Sequence, residues 1–311
     1  MNSNHRCPIC HGESSRDRLV PDWGEMRRCD SCRLVFAHPM TLPESPESLY
    51  GKAYEGLWEK PGMEGYLRRM SEVERIKEDN LDLDSRILTS SGARHEAMAW
   101  LKRSAPPGSV VLDVGCSLGY FLSRLRRNGF TAVGMEVAKK PVDALREEGF
   151  EVWHGTIDSI PHDWKQPQVV TSFFVLHHLT DPVGFLSTIR DKFPEATLMV
   201  GVWNRFPSPQ DLSPASFPPR TLTWWSPNAL KEAMKRAGYE VESVAQFIHP
   251  YEFGTPRIAR RRLSEWTLSS GHHRLHSIYH AVKPKLVIPW KLWKRLRGKS
   301  SSVLVIGRPA R

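Results

Sequence analysis

The stretch that most limits what this chain can become is Val110-Val-Leu-Asp-Val-Gly-Cys-Ser-Leu-Gly119, then Tyr120-Phe-Leu-Ser-Arg-Leu-Arg-Arg-Asn128, then Gly129 and Thr131-Ala-Val-Gly-Met-Glu136. The β-branched run Val110–Val114 reads as a strand buried on both faces of a parallel sheet. Gly115 follows at once, where glycine can take a positive φ and let backbone approach a ligand. Gly119 opens a helix whose unsatisfied N–H groups favour an anion, and Gly129 stops that helix. Glu136 ends the second strand, about where an α/β nucleotide fold sets a carboxylate against ribose hydroxyls. The unit predicts one pocket that takes a carboxylate-bearing group and a ribose. Glycines at 115 and 119 do not make the G-x-G-x-x-G that a pyrophosphate needs, and the Gly-Lys-Ser/Thr of a phosphate loop is absent.

Two further segments agree. Gly155-Thr-Ile-Asp-Ser-Ile-Pro161 follows a strand at Glu151-Val-Trp153, and Val169-Val-Thr-Ser-Phe-Phe-Val-Leu-His-His-Leu-Thr-Asp-Pro182 is a strand running into a His-rich turn. With the glycine turn, these resemble the motifs of class I S-adenosylmethionine-dependent methyltransferases, over about residues 109–203 with weaker support to residue 311. The resemblance implies a Rossmann-like α/β sheet with S-adenosylmethionine as cofactor. Asp113, Gly115, Cys116, Gly119 and Tyr120 would surround its methionine end, Glu136 its ribose, and Thr156, Ile157 and Asp158 its adenine. Cys116 reads as a small packing residue in that turn rather than a nucleophile. His177 and His178 follow the fourth strand at the carboxyl edge, where the methyl group would lie, and are the candidates for a general base. For either histidine alone, a bond to backbone that holds the turn is the plainer role. Tyr120 is expected to border the methionine end, and Trp224 with Trp225 either wall the acceptor or pack.

The cysteines carry a second signal. Cys7-Pro-Ile-Cys10 and Cys29-Asp-Ser-Cys32 are two C-x2-C knuckles, the spacing of a four-thiolate zinc site. The ribbon, Arg33-Leu-Val-Phe-Ala-His-Pro39, and then Tyr50 and Tyr54 are similar to bacterial zinc-ribbon methyltransferases related to deoxysugar C-methyltransferases. The chain departs from those sugar enzymes in lacking their Glu-His pair in the C-terminal half.

At 311 residues with 40% hydrophobic residues, the chain can hold more than one unit around an ample core. The expected organisation is a zinc ribbon at 1–45, a helical linker region at 46–108 and a methyltransferase domain at 109–311. Met1-Asn-Ser-Asn-His-Arg-Cys7 does not resemble a signal peptide, and no run of about 18 apolar residues is present, so a cytoplasmic protein is expected. Strands are expected at Ala196–Val202, Tyr239–Val244 and Ser302–Gly307, and a helix between N-cap Ser226 and stop Gly238. The proline-rich stretch Pro207–Pro219 reads as extended loop.

A basic insertion at about 250–300 interrupts the last two strands. From Arg257 to Lys299 it has twelve Lys or Arg against the single acid Glu265, an excess of eleven beside a formal charge of +10 for the whole chain. With Trp290 and Trp293 interleaved, it fits either an anionic membrane surface or an anionic acceptor, or else a solvated basic face. The expected partner is a small-molecule or glycan-type acceptor, with peripheral membrane contact through the insertion. Two alternatives are an RNA methyltransferase using ribbon and insertion, which is less favoured because the ribbon itself is not strongly basic, and a non-catalytic cofactor-binding assembly module.

Overall fold

We describe residues 5–58, 92–161, 164–204, 217–247 and 302–310 of a computed structural model. The middle of the expected linker, most of the proline-rich loop and the whole basic insertion lie outside these residues.

The strands β4 (Val110–Val114), β5 (Thr131–Glu136), β6 (Glu151–His154), β7 (Val169–Phe173), β8 (Thr197–Trp203), β10 (Tyr239–Phe247) and β11 (Ser302–Pro309) form one seven-stranded sheet in the order β10-β11-β8-β7-β4-β5-β6. All neighbours are parallel except at β11, which runs antiparallel to both β8 and β10. The last strand of the chain therefore does not close the sheet at its edge but slots between two earlier ones, with Ser302 opposite both Phe247 and Trp203. The central strands β4 and β7 are almost entirely buried because both faces are covered by helices, and their polar residues Asp113, Thr171 and Ser172 lie inside.

On one face lie α2 (Gly92–Ser104), α3 (Tyr120–Arg127) and α4 (Lys139–Glu147); α5 (Pro182–Lys192) and α6 (Pro227–Arg236) pack on the other. In α3 the residues Phe121, Leu122 and Leu125 are buried while Arg126 and Arg127 face outward, the stripe a 3.6-residue period requires. In α6 the buried stripe is Ala229, Leu230, Ala233 and Met234, started by Ser226, whose hydroxyl caps the Ala229 N–H at 3.0 Å, and stopped by Gly238 at φ +83°.

The ribbon strands β1 (Ser14–Val20), β2 (Gly24–Cys29) and β3 (Val35–His38) are antiparallel, and their sheet gains a fourth member from far along the chain: β9 (Thr223–Trp224) pairs with β3, Val35 opposite Trp224 and Phe36 opposite Thr223. The ribbon's Cys7, Ile9, Leu34 and Phe36 belong to the same apolar cluster as Leu230, Ala233 and Met234 of α6. After β3, residues 46–58 form helix α1 (Pro46–Trp58). No helix among the described residues is long and apolar enough to cross a membrane.

Candidate functional site

The order of strands reverses between β4 and β7, and at that switch point the carboxyl ends of parallel strands leave a crevice. It is a cavity of about 650 Å³, within the size range that accepts a cofactor or small molecule.

Its floor is the glycine turn. Gly115 and Gly119 take φ +76° and +72°, and a Cβ on them would sit 2.4 Å from Val175 Cγ2 and 2.1 Å from Leu145 Cδ2. Glycine is required here by left-handed backbone and by neighbours packed against it. The turn is tied to β5: Gly115 and Cys116 N–H both donate to the Met135 carbonyl, at 2.8 and 3.0 Å. Glu136, 6% exposed, accepts from Ser117 N at 2.9 Å through Oε2, and from Val137 N at 2.9 Å and Ala138 N at 3.1 Å through Oε1. Burial pushes its carboxyl pKa up while these three N–H groups pull it down. With two lone pairs per oxygen, Oε2 retains one for a ligand hydroxyl.

Above the turn stands Arg94 of α2. Its guanidinium lies 5.4, 5.5 and 5.1 Å from the ring centroids of Tyr120, Phe173 and Phe174, and its buried Nε has no hydrogen-bond partner among the described residues. A buried donor left unmade is costly, and an anionic acceptor would satisfy it. Asp113, behind the cavity wall, accepts from Thr171 Oγ1 at 2.7 Å; burial pushes its pKa up to about 6, against the pull of Thr171 and Arg94.

After β7 the chain turns sharply. Phe174 is left-handed at φ +64°, donates its N–H to the Gly201 carbonyl at 2.7 Å and stacks on Trp203 with centroids 4.5 Å apart. A 3-10 turn, Leu176–His178, follows. The two histidines take different places. His177 is buried, away from the cavity, and its carbonyl accepts from Leu222 N at 2.7 Å. His178 lines the cavity, its ring 5.3 Å from that of Tyr50, and its Nδ1 bonds the Arg220 carbonyl. A carbonyl only accepts, so Nδ1 carries the hydrogen and Nε2 keeps a lone pair. Burial lowers the His178 pKa to about 4, keeping the ring neutral across the physiological range.

Of the residues picked out in the sequence, Gly115, Glu136, Thr156, Ile157, Asp158 and His178 line one cavity. Asp113, Cys116, Gly119, Tyr120 and His177 do not. Cys116 turns its thiol onto Gly134, where a Cβ would be 2.8 Å from Sγ, and burial pushes that thiol's pKa far up. It is a packing residue whose contribution to the turn is its backbone. Tyr120 lies under Arg94 rather than at the cavity wall. Trp224 and Trp225 do not line this cavity either: Trp224 packs with Met26, Val35 and Leu222, and Trp225 is in the main core. Arg94 and Arg220 were not singled out in the sequence, because a lone arginine on a helix or in a loop has no local signature. Leu42, Pro46 and Tyr50, which precede the sheet by many residues, also line the cavity.

The four ribbon sulfurs lie within 4.8 Å of one another, with Cys7 and Cys32 at 3.6 Å and Cys10 and Cys29 at 3.4 Å. That exceeds a disulfide bond of about 2.0 Å and approaches the roughly 3.8 Å between ligands on a tetrahedral zinc with arms of about 2.3 Å. Backbone N–H groups of Ile9 and Cys32 point at Cys7 and Cys29 Sγ, both at 3.4 Å, which favours thiolates. The hydrogen of Cys32 draws Cys7 down to about 5 while Cys32 itself is pushed up, so without a cation these two do not ionise together.

Residues 90–244 match the family described as "Methyltransferase domain". The chain is 31% identical over 114 residues to the ubiquinone biosynthesis O-methyltransferase of Hahella chejuensis, a match covering 34% of this chain and 48% of that protein. To the enzyme of the same name from Dinoroseobacter shibae it is 24% identical over 195 residues, covering 57% and 74%. The chain thus spans about half the length of the first of these relatives. Among solved structures, a complex of the Haloferax volcanii Trm112 methyltransferase activator with a putative methyltransferase aligns at a TM-score of 0.49 and 19% identity, over 71% of this chain and 92% of that one.

Proposed function

We propose, for a chain with a Rossmann-like methyltransferase fold and a methyltransferase domain at residues 90–244, that the protein transfers a methyl group from S-adenosylmethionine to a small-molecule acceptor. The observation that carries this is the juxtaposition in one cavity of Arg94, with its unanswered Nε, and Glu136, with a lone pair to spare, on either side of the glycine turn. Arg94 would hold the cofactor's carboxylate and Glu136 its ribose, with Thr156, Ile157 and Asp158 beside the adenine. The cofactor, when bound, supplies a methyl group already made electrophilic by its sulfonium. The protein's part is to align the acceptor, exclude water and receive a proton.

His178 is the group we assign to the proton. Its Nε2 lone pair is exposed to the cavity by the bond from Nδ1, though a base with its pKa drawn down to about 4 is weak and suits an acceptor that ionises readily. The aromatic and aliphatic wall of Leu42, Tyr50, Phe174, Leu179 and Phe185 favours an acceptor with an apolar or aromatic face. The ubiquinone O-methyltransferase relatives favour an oxygen acceptor of that kind; a glycan-type acceptor is the alternative and belongs in the same screen. We also assign Cys7, Cys10, Cys29 and Cys32 to one structural zinc ion.

Calorimetric titration with S-adenosylmethionine and, separately, NAD tests the first step. Binding of the former alone, weakened at least tenfold by Arg94→Ala, is expected; no binding, or equal binding of NAD, would overturn it. His178→Gln should keep cofactor affinity and lower turnover by about 10²–10⁴-fold on an acceptor found by screening phenols and glycans. Metal analysis should find one zinc per chain.

A further inference from the structure

A second cavity, of about 560 Å³, opens on the seam between the ribbon and the catalytic sheet. Arg28 on β2, Arg33 just past the second knuckle and Lys231 on α6 converge on it; the rest of its lining includes Ser226, Asn228 and Gln246, and no carboxylate. Arg28 is answered from outside the cavity by Asp17, whose Oδ1 accepts from its Nε and Nη2 at 3.0 and 2.5 Å. Arg33 and Lys231 have no ion-pair partner among the described residues. Cations gathered around one hollow repel each other, and an anion shared between them turns that repulsion into attraction. The positive end of α6 adds to the same field: Pro227 has no N–H, the Ser226 hydroxyl serves Ala229, and the helix starts at the cavity wall.

The seam is held together as a unit. Ser226 Oγ, while capping α6, donates to the Cys32 carbonyl at 2.7 Å, so the knuckle bearing Arg33 and the helix bearing Lys231 are locked to each other. The cavity also lies on the productive side of the sheet. β10 runs parallel to β8 because β11 is antiparallel to both, which puts Val244 and Gln246 of its lining toward the same carboxyl edge as the methyl-transfer cavity. One segment borders both hollows: Arg220 lines the first and Ser226 the second. Six residues of extended chain span at most roughly 20 Å, so a single elongated molecule reaches from one to the other.

We propose that this seam cavity is an anion site that holds a phosphate or diphosphate group of the methyl acceptor, an inference whose acceptor half rests on the methyltransferase reading above. The phosphate chemistry is shared by a soluble phosphorylated acceptor and by a lipid carrying a phosphate headgroup.

The test uses the full-length, zinc-loaded protein, with pyrophosphate as probe, followed through the backbone amide signals of Asn228 and Lys231 and by calorimetry. Saturable shifts at these two residues are expected, with affinity falling at least tenfold in Arg33→Glu and several-fold in Lys231→Gln, while zinc content and S-adenosylmethionine affinity stay unchanged. Vesicles of phosphatidylglycerol in phosphatidylcholine separate the sources: co-sedimentation that Arg33→Glu removes and pyrophosphate competes away assigns the phosphate to a lipid, and pyrophosphate binding without co-sedimentation assigns it to a soluble acceptor. No saturable shift at Asn228 and Lys231, or unchanged affinity in both variants, overturns the site. Failure of S-adenosylmethionine to bind the wild type would remove the methyltransferase reading and the acceptor half, yet leave the anion measurement standing.

Discussion

The end of the main cavity assigned to the cofactor is lined largely by residues 114–158, consecutive turns at the ends of β4, β5 and β6, whereas the end assigned to the acceptor draws Leu42 and Tyr50 from before the sheet, His178 from after β7 and Arg220 from beyond β8. The first end needs little beyond local geometry, because a strand, a glycine turn and a helix bring Gly115, Ser117 and Glu136 together within one βαβ unit. The second end depends on the ribbon. Ala37 N donates to the Leu222 carbonyl at 2.8 Å, Leu222 N to the His177 carbonyl at 2.7 Å, and the same segment supplies the Arg220 carbonyl that fixes His178. A short domain far from the chemistry in sequence thus frames the group assigned to the proton.

That contrast breaks first, if it is wrong, on removal of the metal. Structural zinc binding amounts to about 10 kcal/mol or more of folding free energy in small modules, so chelation should unfold the ribbon and abolish methyl transfer while S-adenosylmethionine affinity falls less than tenfold; equal loss of both would show the two ends to be one unit. Next in size, Glu136→Ala leaves the N–H groups of Ser117, Val137 and Ala138 without their acceptor, at about 2–4 kcal/mol. Cofactor affinity should drop by about 10²-fold, more than one ribose bond accounts for, with the zinc content untouched; calorimetry and metal analysis read the two separately.

Asp113 sharpens the cofactor side through pH. Its pKa, about 6 in the fold against an ordinary 3.8, means the folded chain holds the proton more tightly. Its contribution therefore favours the fold fully below pH 3.8 and is lost as pH rises through 6, a difference of about 3 kcal/mol. Asp113→Asn should stabilise the cofactor-free protein at pH 8 by up to that amount and flatten its unfolding profile between pH 4 and 6; an unaltered profile would place the titration elsewhere. His178 runs the other way: its pKa is depressed to about 4, so its contribution is present above pH 6.5 and lost as pH falls through 4. The smallest effect expected is that of Ser226→Ala, which removes the cap of α6 and the bond to the Cys32 carbonyl for about 1–2 kcal/mol. It should lower turnover a few-fold through the 220–226 segment and leave cofactor affinity alone, as steady-state kinetics would separate.

Legibility in the sequence followed the same divide. The strand, glycine turn and acid from Val110 to Glu136 and the Ser226 cap were readable because each depends on a few adjacent residues with strong backbone preferences. The cysteine knuckles were readable because C-x2-C is a short-range spacing, and their four sulfurs do meet within 4.8 Å. Arg94 was not, since nothing beside it in Gly92–Ser104 distinguishes an arginine on three aromatic rings from one in water. Nor was the division between His177 and His178: their rings meet edge to face with centroids 4.1 Å apart, and only the bond from Leu222 N to the His177 carbonyl and the cavity lining show which of them holds backbone and which borders the cavity.

The parallel sheet with its carboxyl-edge crevice, the glycine turn with its carboxylate, and the four-sulfur cluster are written into the chain, because backbone sterics, hydrophobic period and short-range spacing set them. Packing settled that β9, from a segment between β8 and β10, joins the ribbon's sheet, that Cys116, Trp224 and Trp225 pack rather than line the cavity, and that Arg94, Tyr50 and His178 share it. Those outcomes are contacts between residues tens to hundreds of positions apart, and they follow from which apolar surfaces cover one another, a choice no local preference encodes.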